Sequence, residues 1–267
     1  LGKTTDDVEV LETIPYYELA NAYNQVAEQV KSQGYYTGLA PMQNDWFAGN
    51  PLKTGFIRNA ESIPVLAGTV IGEFDFGAVV NRKHEQEALA FLRRKYGEHT
   101  ENLLELFRKA YPEKCEADLW SVDTVFRTPT IALLREKAKL SAPVYSYQLT
   151  YEFPIDGGKA AWHCSEIPFV FHNTDRVPVC NVQGETDRLQ ERMCSAWVNF
   201  ARYGNPQTAS LPKWDPCRPD DEATMIFDNV CEVRHNFDHA LQAWLTEIEY
   251  PLFLPVEDEN EERLQIH

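Results

Sequence analysis

The sequence predicts an α/β architecture. Two runs of β-forming residues are separated by long stretches of helical period, the alternation expected when helices cover a mostly parallel sheet. The first run, Ile63-Pro64-Val65-Leu66-Ala67-Gly68-Thr69-Val70, is short and apolar with a glycine near its end, as suits a buried parallel strand. The second, Pro143 to Tyr151, is rich in Val, Tyr and Thr.

The remaining elements follow in chain order. Leu19, Tyr23, Val26 and Val30 recur at helical spacing, and Gly34 is the expected stop. Residues 36–62 carry Pro41, Gly49, Pro51 and Gly55 and read as irregular. Residues 83–137 are charged and helical in period, with stripes Leu103, Leu106, Phe107, Ala110 and Ile131, Leu134, Ala138 that read as core packing. Pro112 and Pro129 are expected to break this region into several helices. A polar loop with Gly157-Gly158 leads to His163. Residues 186–203 form a helix with Leu189, Met193, Trp197 and Phe200 on one face, ended by Gly204-Asn205-Pro206. Phe237, Leu241, Trp244, Leu245 and Ile248 mark a last amphipathic helix, and the acidic tail 257–262 reads as solvated. No internal repeat or low-complexity linker is present.

Bulk properties narrow the class. The chain has 267 residues, 43% of them hydrophobic, enough for one sizeable core or two small ones. The net charge of −16, with scattered Lys and Arg, argues against nucleic acid as a partner. No apolar run reaches 18 residues, so no membrane-spanning helix is expected. The first residues, Leu1-Gly2-Lys3-Thr4, are neither a signal peptide nor an initiator start, and a processed or cleaved piece is expected. The six cysteines lack any C-x-x-C pair and are widely spaced, which argues against structural zinc and a disulfide scaffold and favours a reducing, cytoplasmic compartment over secretion.

Of the seven histidines, His84 and His99 lie in charged helical stretches, His172 has no distinguishing context, and His267 is the terminus. His235 and His239 are four apart, a spacing that can hold a metal on one helix face, but no H-E-x-x-H pattern accompanies them. His163 differs: it follows a strand by one loop, where functional groups of open α/β sheets sit. Glu73 and Asp75 occupy the equivalent address after the first strand. An acid after one strand and a histidine after a later one is the order that follows a nucleophile elbow. No G-x-S-x-G elbow and no H-G-G-G oxyanion segment occurs: Ser32, Ser62, Ser121, Ser141, Ser146, Ser165, Ser195 and Ser210 all lack that setting.

At these residues the chain resembles the type-B carboxylesterases, the family of the cholinesterases and the para-nitrobenzyl esterases. Ile63 to Gly68 followed by Glu73 is similar to the strand and loop of the catalytic acid, and the resemblance favours Glu73 over Asp75. Gly72-Glu73-Phe74 stands where the family has Asp-Glu-Gly. Val144 to Leu149 resembles the strand before the histidine loop. Ala161-Trp162-His163-Cys164-Ser165-Glu166-Ile167-Pro168-Phe169-Val170-Phe171 resembles H-G-x-E-(L/I)-P-(Y/F)-V-F, with Cys164 in place of the glycine. Met193, Trp197, Phe200-Ala201, Gly204-Asn205-Pro206, Pro212, Trp214 and Met225-Ile226-Phe227-Asp228 match the C-terminal signature.

The resemblance covers roughly residues 10–248 and implies the C-terminal portion of a single α/β-hydrolase domain. It implies His163 and Glu73 as catalytic residues, a small-molecule ester as substrate, and an N-terminal half as the partner that carries the serine and oxyanion hole. No metal or organic cofactor is required. The competing expectation is a non-catalytic binding or adhesion module of the same fold.

Overall fold

The computed structural model describes residues 1–33, 41, 43–74, 85–155 and 157–248. The chain divides into two compact units, Leu1–Gly49 with Pro255–His267, and Asn50–Leu254. In the first, a 3-10 segment Thr5–Glu12 precedes helix α1, Tyr16–Ser32. Glu18 in the first turn and Lys31 in the last complement the helix dipole. No residue of α1 is buried, and Tyr23 and Val26 of the predicted stripe are half exposed. Gly34, the expected stop, lies outside the described residues; the Gln33 N–H closes the last turn on Val30.

The second unit holds the sheet. Strand β1 (Val65–Val70) pairs in parallel with β2 (Val144–Leu149), Val65 opposite Val144 and Val70 opposite Leu149. β2 pairs in parallel with β5 (Ala223–Phe227), and β5 antiparallel with β6 (Glu232–His235), giving the order β1-β2-β5-β6. Both predicted strands are therefore present and parallel. A small hairpin, β3 (Glu152–Phe153) and β4 (Lys159–Ala160), spans the predicted Gly157-Gly158 loop.

Around the sheet run α2 (Pro51–Thr54), α3 (Glu85–Tyr96), α4 (Thr100–Ala110), α5 (Arg127–Lys137), α6 (Ile167–Val170), α7 (Thr186–Tyr203) and α8 (His239–Ile248). The stretch read as irregular contains α2, one turn capped by Asn50, whose side chain accepts from the Leu52 N–H. Pro112 follows the end of α4, as expected. Pro129 corrects the sequence reading: it lies in the first turn of α5, where a missing N–H costs nothing, so it begins a helix rather than breaking one.

Side chains leave the sheet on both faces. Val65, Ala67 and Val144 pack with Leu134 of α5. Leu66, Tyr145 and Tyr147 join the main core with Leu189, Met193 and Ala196 of α7, where the Tyr147 and Trp197 rings meet at 4.8 Å. Leu103, Phe107, Leu241 and Leu245 belong to the same core. Gly68 is fixed by this packing: a Cβ there would meet the Tyr147 carbonyl oxygen at 2.1 Å and its ring at 2.5 Å. Gly204 ends α7 in the left-handed conformation (φ 67°), its N–H on the Phe200 carbonyl at 2.7 Å.

Among the described residues no helix is long and apolar enough to cross a membrane. All six cysteines are unbridged.

Candidate active site

Glu73 and His163 are brought together by the ends of β1 and the segment after β4. Past Val70 the chain turns, and Gly72 pairs with Trp162 in an isolated parallel bridge, its N–H on the Ala161 carbonyl at 2.9 Å. One residue on, the His163 N–H donates to the Glu73 carbonyl at 2.9 Å. The backbone contact fixes the spacing of the side chains, and His163 Nδ1 meets Glu73 Oε2 at 2.7 Å. The other carboxylate oxygen, Oε1, accepts the Val70 N–H at 2.9 Å. Glu73 is thus held by its own loop before it holds the imidazole.

Exposure divides the pair. The Glu73 side chain is 8% exposed and that of His163 is 43% exposed. With Nδ1–H donating to the carboxylate, Nε2 is left as the base. A buried acid that fixes the tautomer and an open imidazole edge are what a general base needs. The ring is steadied by aromatic stacking, with Phe74 at 5.0 Å and Phe126 at 5.8 Å between centroids.

Two further acids surround the pair, and only one was visible as part of a motif. Glu166 is half-buried, and the desolvation raises its carboxyl; its Oε2 has no hydrogen-bond partner among the described residues. Asp123 carried no sequence signal. Its N–H donates to the Ile71 carbonyl at 2.8 Å, tying it to the acid loop. Its carboxylate accepts the N–H groups of Val125 (3.0 Å), Phe126 (3.0 Å) and Arg127 (2.7 Å), capping the entry to α5. Burial pushes this carboxyl up to about 6 against those three bonds, and the Glu73 charge adds to the rise.

Cys164 follows His163 with φ 68°, a conformation that costs an L-residue about 1–2 kcal/mol. The glycine of the related motif is the natural occupant. Cys164→Gly should therefore raise stability by about 0.5–1 kcal/mol, the strain relief less the entropy of a new glycine. Urea unfolding of variant and parent measures this; an equal or lower midpoint for the glycine protein counts against strain at this turn.

The other histidines stand apart from this pair. His99 lies 5.5 Å from the Trp244 ring, and His172 bonds Glu191 at 3.1 Å. His235 ends β6 on Asp221, whereas His239 opens α8 on Glu222 at 2.6 Å, so the two do not share a helix face. Glu222, Asp238 and His239 do converge as a metal site would, but the Arg127 guanidinium bonds both carboxylates and already supplies the positive charge. His84, His267 and Asp75 lie outside the described residues. Ser165 is buried in the turn after His163, its N–H on the Trp162 carbonyl, away from any strand-to-helix elbow.

Comparison with known proteins bears on the family and the fold. A model of the carboxylesterase family matches residues 1–244. The para-nitrobenzyl esterase of Bacillus subtilis (strain 168) is 26% identical over 243 residues, which cover 88% of this chain and 49% of that protein. Among solved structures, an esterase from anaerobic Clostridium hathewayi that can hydrolyze aliphatic aromatic polyesters superposes with a TM-score of 0.85 and 40% identity, covering 93% of this chain and 50% of that one. A thermophilic PNB esterase superposes with a TM-score of 0.62 at 23% identity, a likeness of fold, over 91% of this chain and 51% of the other. The chain spans about half the length of these relatives.

Proposed function

This chain belongs to the carboxylesterase family and has its α/β-hydrolase fold, and from that premise we propose that it supplies the histidine and acid of a Ser-His-Glu triad that hydrolyses carboxylic esters. In this reading residues 1–267 are the C-terminal portion of one catalytic domain. A segment N-terminal to them carries the serine and the oxyanion hole. The observation that supports it best is the 2.7 Å hydrogen bond between His163 Nδ1 and Glu73 Oε2, with the rest of the imidazole open.

The serine Oγ attacks the ester carbonyl carbon while His163 Nε2 takes its proton. The tetrahedral intermediate collapses, the C–O bond to the alcohol breaks, and His163 returns the proton to the departing alkoxide. Water then repeats the sequence on the acyl-enzyme, with His163 again as base, and releases the acid. Glu73 stays ionised, orienting the ring and stabilising the imidazolium. No metal or cofactor takes part in these steps.

The test uses the protein in which this chain accompanies its serine-bearing segment. It should turn over a p-nitrophenyl ester and form a covalent adduct with a phosphonate. Peptide mapping should place the adduct on a serine outside residues 1–267. An adduct on Ser165 or another serine of this chain would overturn the division of labour. No turnover and no adduct would favour the non-catalytic binding module instead.

A further inference from the structure

The hydrogen bond to Glu73 fixes one nitrogen of the His163 ring, and about that point the ring can still tilt. The far nitrogen, Nε2, is the one the reaction uses, and the side chain is nearly half exposed. Any further restraint on the imidazole therefore bears on the base. Phe126 stacks against it at 5.8 Å between centroids, with 29° between the ring planes. We propose that Phe126 is a positioning residue for the reaction, its ring seated against the imidazole by the Asp123 carboxylate so that Nε2 keeps its aim. The proposal rests on the hydrolase reading above and adds a residue to that site.

Phe126 stands out by the way it is held. It is the N-cap residue of α5, and its side chain is partly exposed, so surrounding packing confines it little. Its backbone is confined instead. Asp123 Oδ2 accepts the N–H groups of Phe126 at 3.0 Å and Arg127 at 2.7 Å, and Oδ1 accepts that of Val125 at 3.0 Å. Asp123 is itself buried and pinned on both sides. Its N–H donates to the Ile71 carbonyl at 2.8 Å, and its carbonyl accepts from Gln242 Nε2 of α8 at 3.0 Å.

Ile71 lies two residues before Glu73. One loop thus restrains the imidazole twice: through the Glu73 carboxylate at Nδ1, and through Asp123 and Phe126 against the ring. Contact between two rings of this kind shifts an equilibrium by about two- to ten-fold, which sets the scale of the loss when the phenyl group is removed. A reacting atom displaced by a fraction of an ångström loses rate without losing substrate binding.

The test is made in the protein that also carries the serine segment, with its active sites counted by phosphonate labelling. Phe126→Leu should lower kcat for p-nitrophenyl acetate by about two- to ten-fold with KM little changed. Phe126→Tyr keeps a ring and should restore most of the loss. Asp123→Asn should lower kcat to a similar extent in the parent and by little in the Phe126→Leu background, since the two act along one path. With isotope-labelled histidine, the His163 ring protons, assigned by their loss in His163→Ala, should lie upfield in the parent and move together in Phe126→Leu and Asp123→Asn. A kcat per labelled site that Phe126→Leu leaves unchanged, equal losses in the leucine and tyrosine variants, or additive losses with Asp123→Asn would each overturn the proposal. A change in KM alone would also overturn it and set Phe126 against the substrate. If Asp123→Asn does not fold, the leucine and tyrosine variants decide. Absence of hydrolysis in the parent would strike the hydrolase reading itself, and the proton shifts then decide whether Phe126 holds the ring.

Discussion

Replacing His163 with alanine, in the protein that also carries the serine segment, is expected to lower kcat for a p-nitrophenyl ester by roughly 10⁴- to 10⁶-fold. Loss of the base leaves the serine hydroxyl unactivated and the departing alkoxide without a proton. Glu73→Gln should cost about 10⁴-fold by a different route. Its amide can still meet the Val70 N–H through oxygen, but the amide nitrogen then faces His163 Nδ1 as a donor. The imidazole is driven to carry its proton on Nε2, the position needed for the base. Combining the two substitutions should cost little more than His163→Ala alone, because acid and base act as one unit. The folded state should scarcely register His163→Ala, since that side chain is nearly half exposed and its loss leaves Glu73 still bonded to Val70. Retention of a tenth of the parent's kcat, or an additive double variant, would remove the pair from the reaction.

How much of this was legible in the sequence depends on the kind of contact. β1 and β2 are local runs of β-forming residues, β2 largely buried and β1 buried at its C-terminal end, and their pattern survives without neighbours. β5 and β6 were missed as strands. Ala223 to Phe227 is only five residues behind an acidic turn, and Glu232-Val233-Arg234-His235 is polar; both owe their extended form to pairing, β5 between β2 and β6, and β6 along β5 at the edge of the described sheet. Glu73 and His163 could be named because the order of acid and histidine after successive strands is itself a signal, and the family motif strengthened it. Asp123 left no such trace. It is a helix-capping aspartate in sequence, and only the fold brings it beside the acid loop. The stacking of Phe74 and Phe126 on the imidazole was equally hidden, because it joins residues nearly 90 and 40 positions away from His163.

The same limit applies to Arg127, where the largest effect on stability is expected. Nothing in a run of charged helix distinguishes this arginine, yet it is fully buried. Nε and Nη2 donate to both oxygens of Asp238 at 2.8 Å, and Nη1 and Nη2 donate to Glu222 at 2.9 and 3.2 Å. Glu222 also accepts from Ser146 of β2 and bonds His239 of α8. One guanidinium therefore ties the start of α5 to the central sheet and to the last helix. Burial alone would raise the Glu222 carboxyl, but the Arg127 charge and the bonds from His239 and Ser146 outweigh it and hold the group at about 2.

Arg127→Met fills the space and leaves two carboxylates buried without their cation, so it should cost about 3–5 kcal/mol at pH 7. Lysine should not restore the parent, since a single ammonium cannot form four directed bonds to two carboxylates. The pH dependence separates charge from packing. A carboxyl held below its unfolded value of about 4.3 contributes stability above that pH and loses it as pH falls toward 2. The gap between parent and Arg127→Met in urea unfolding should thus be widest near neutrality and narrow between about pH 4.5 and 2. A gap that is small at pH 7, or constant on acidification, would mean that shape rather than charge makes Arg127 the centre of this fold.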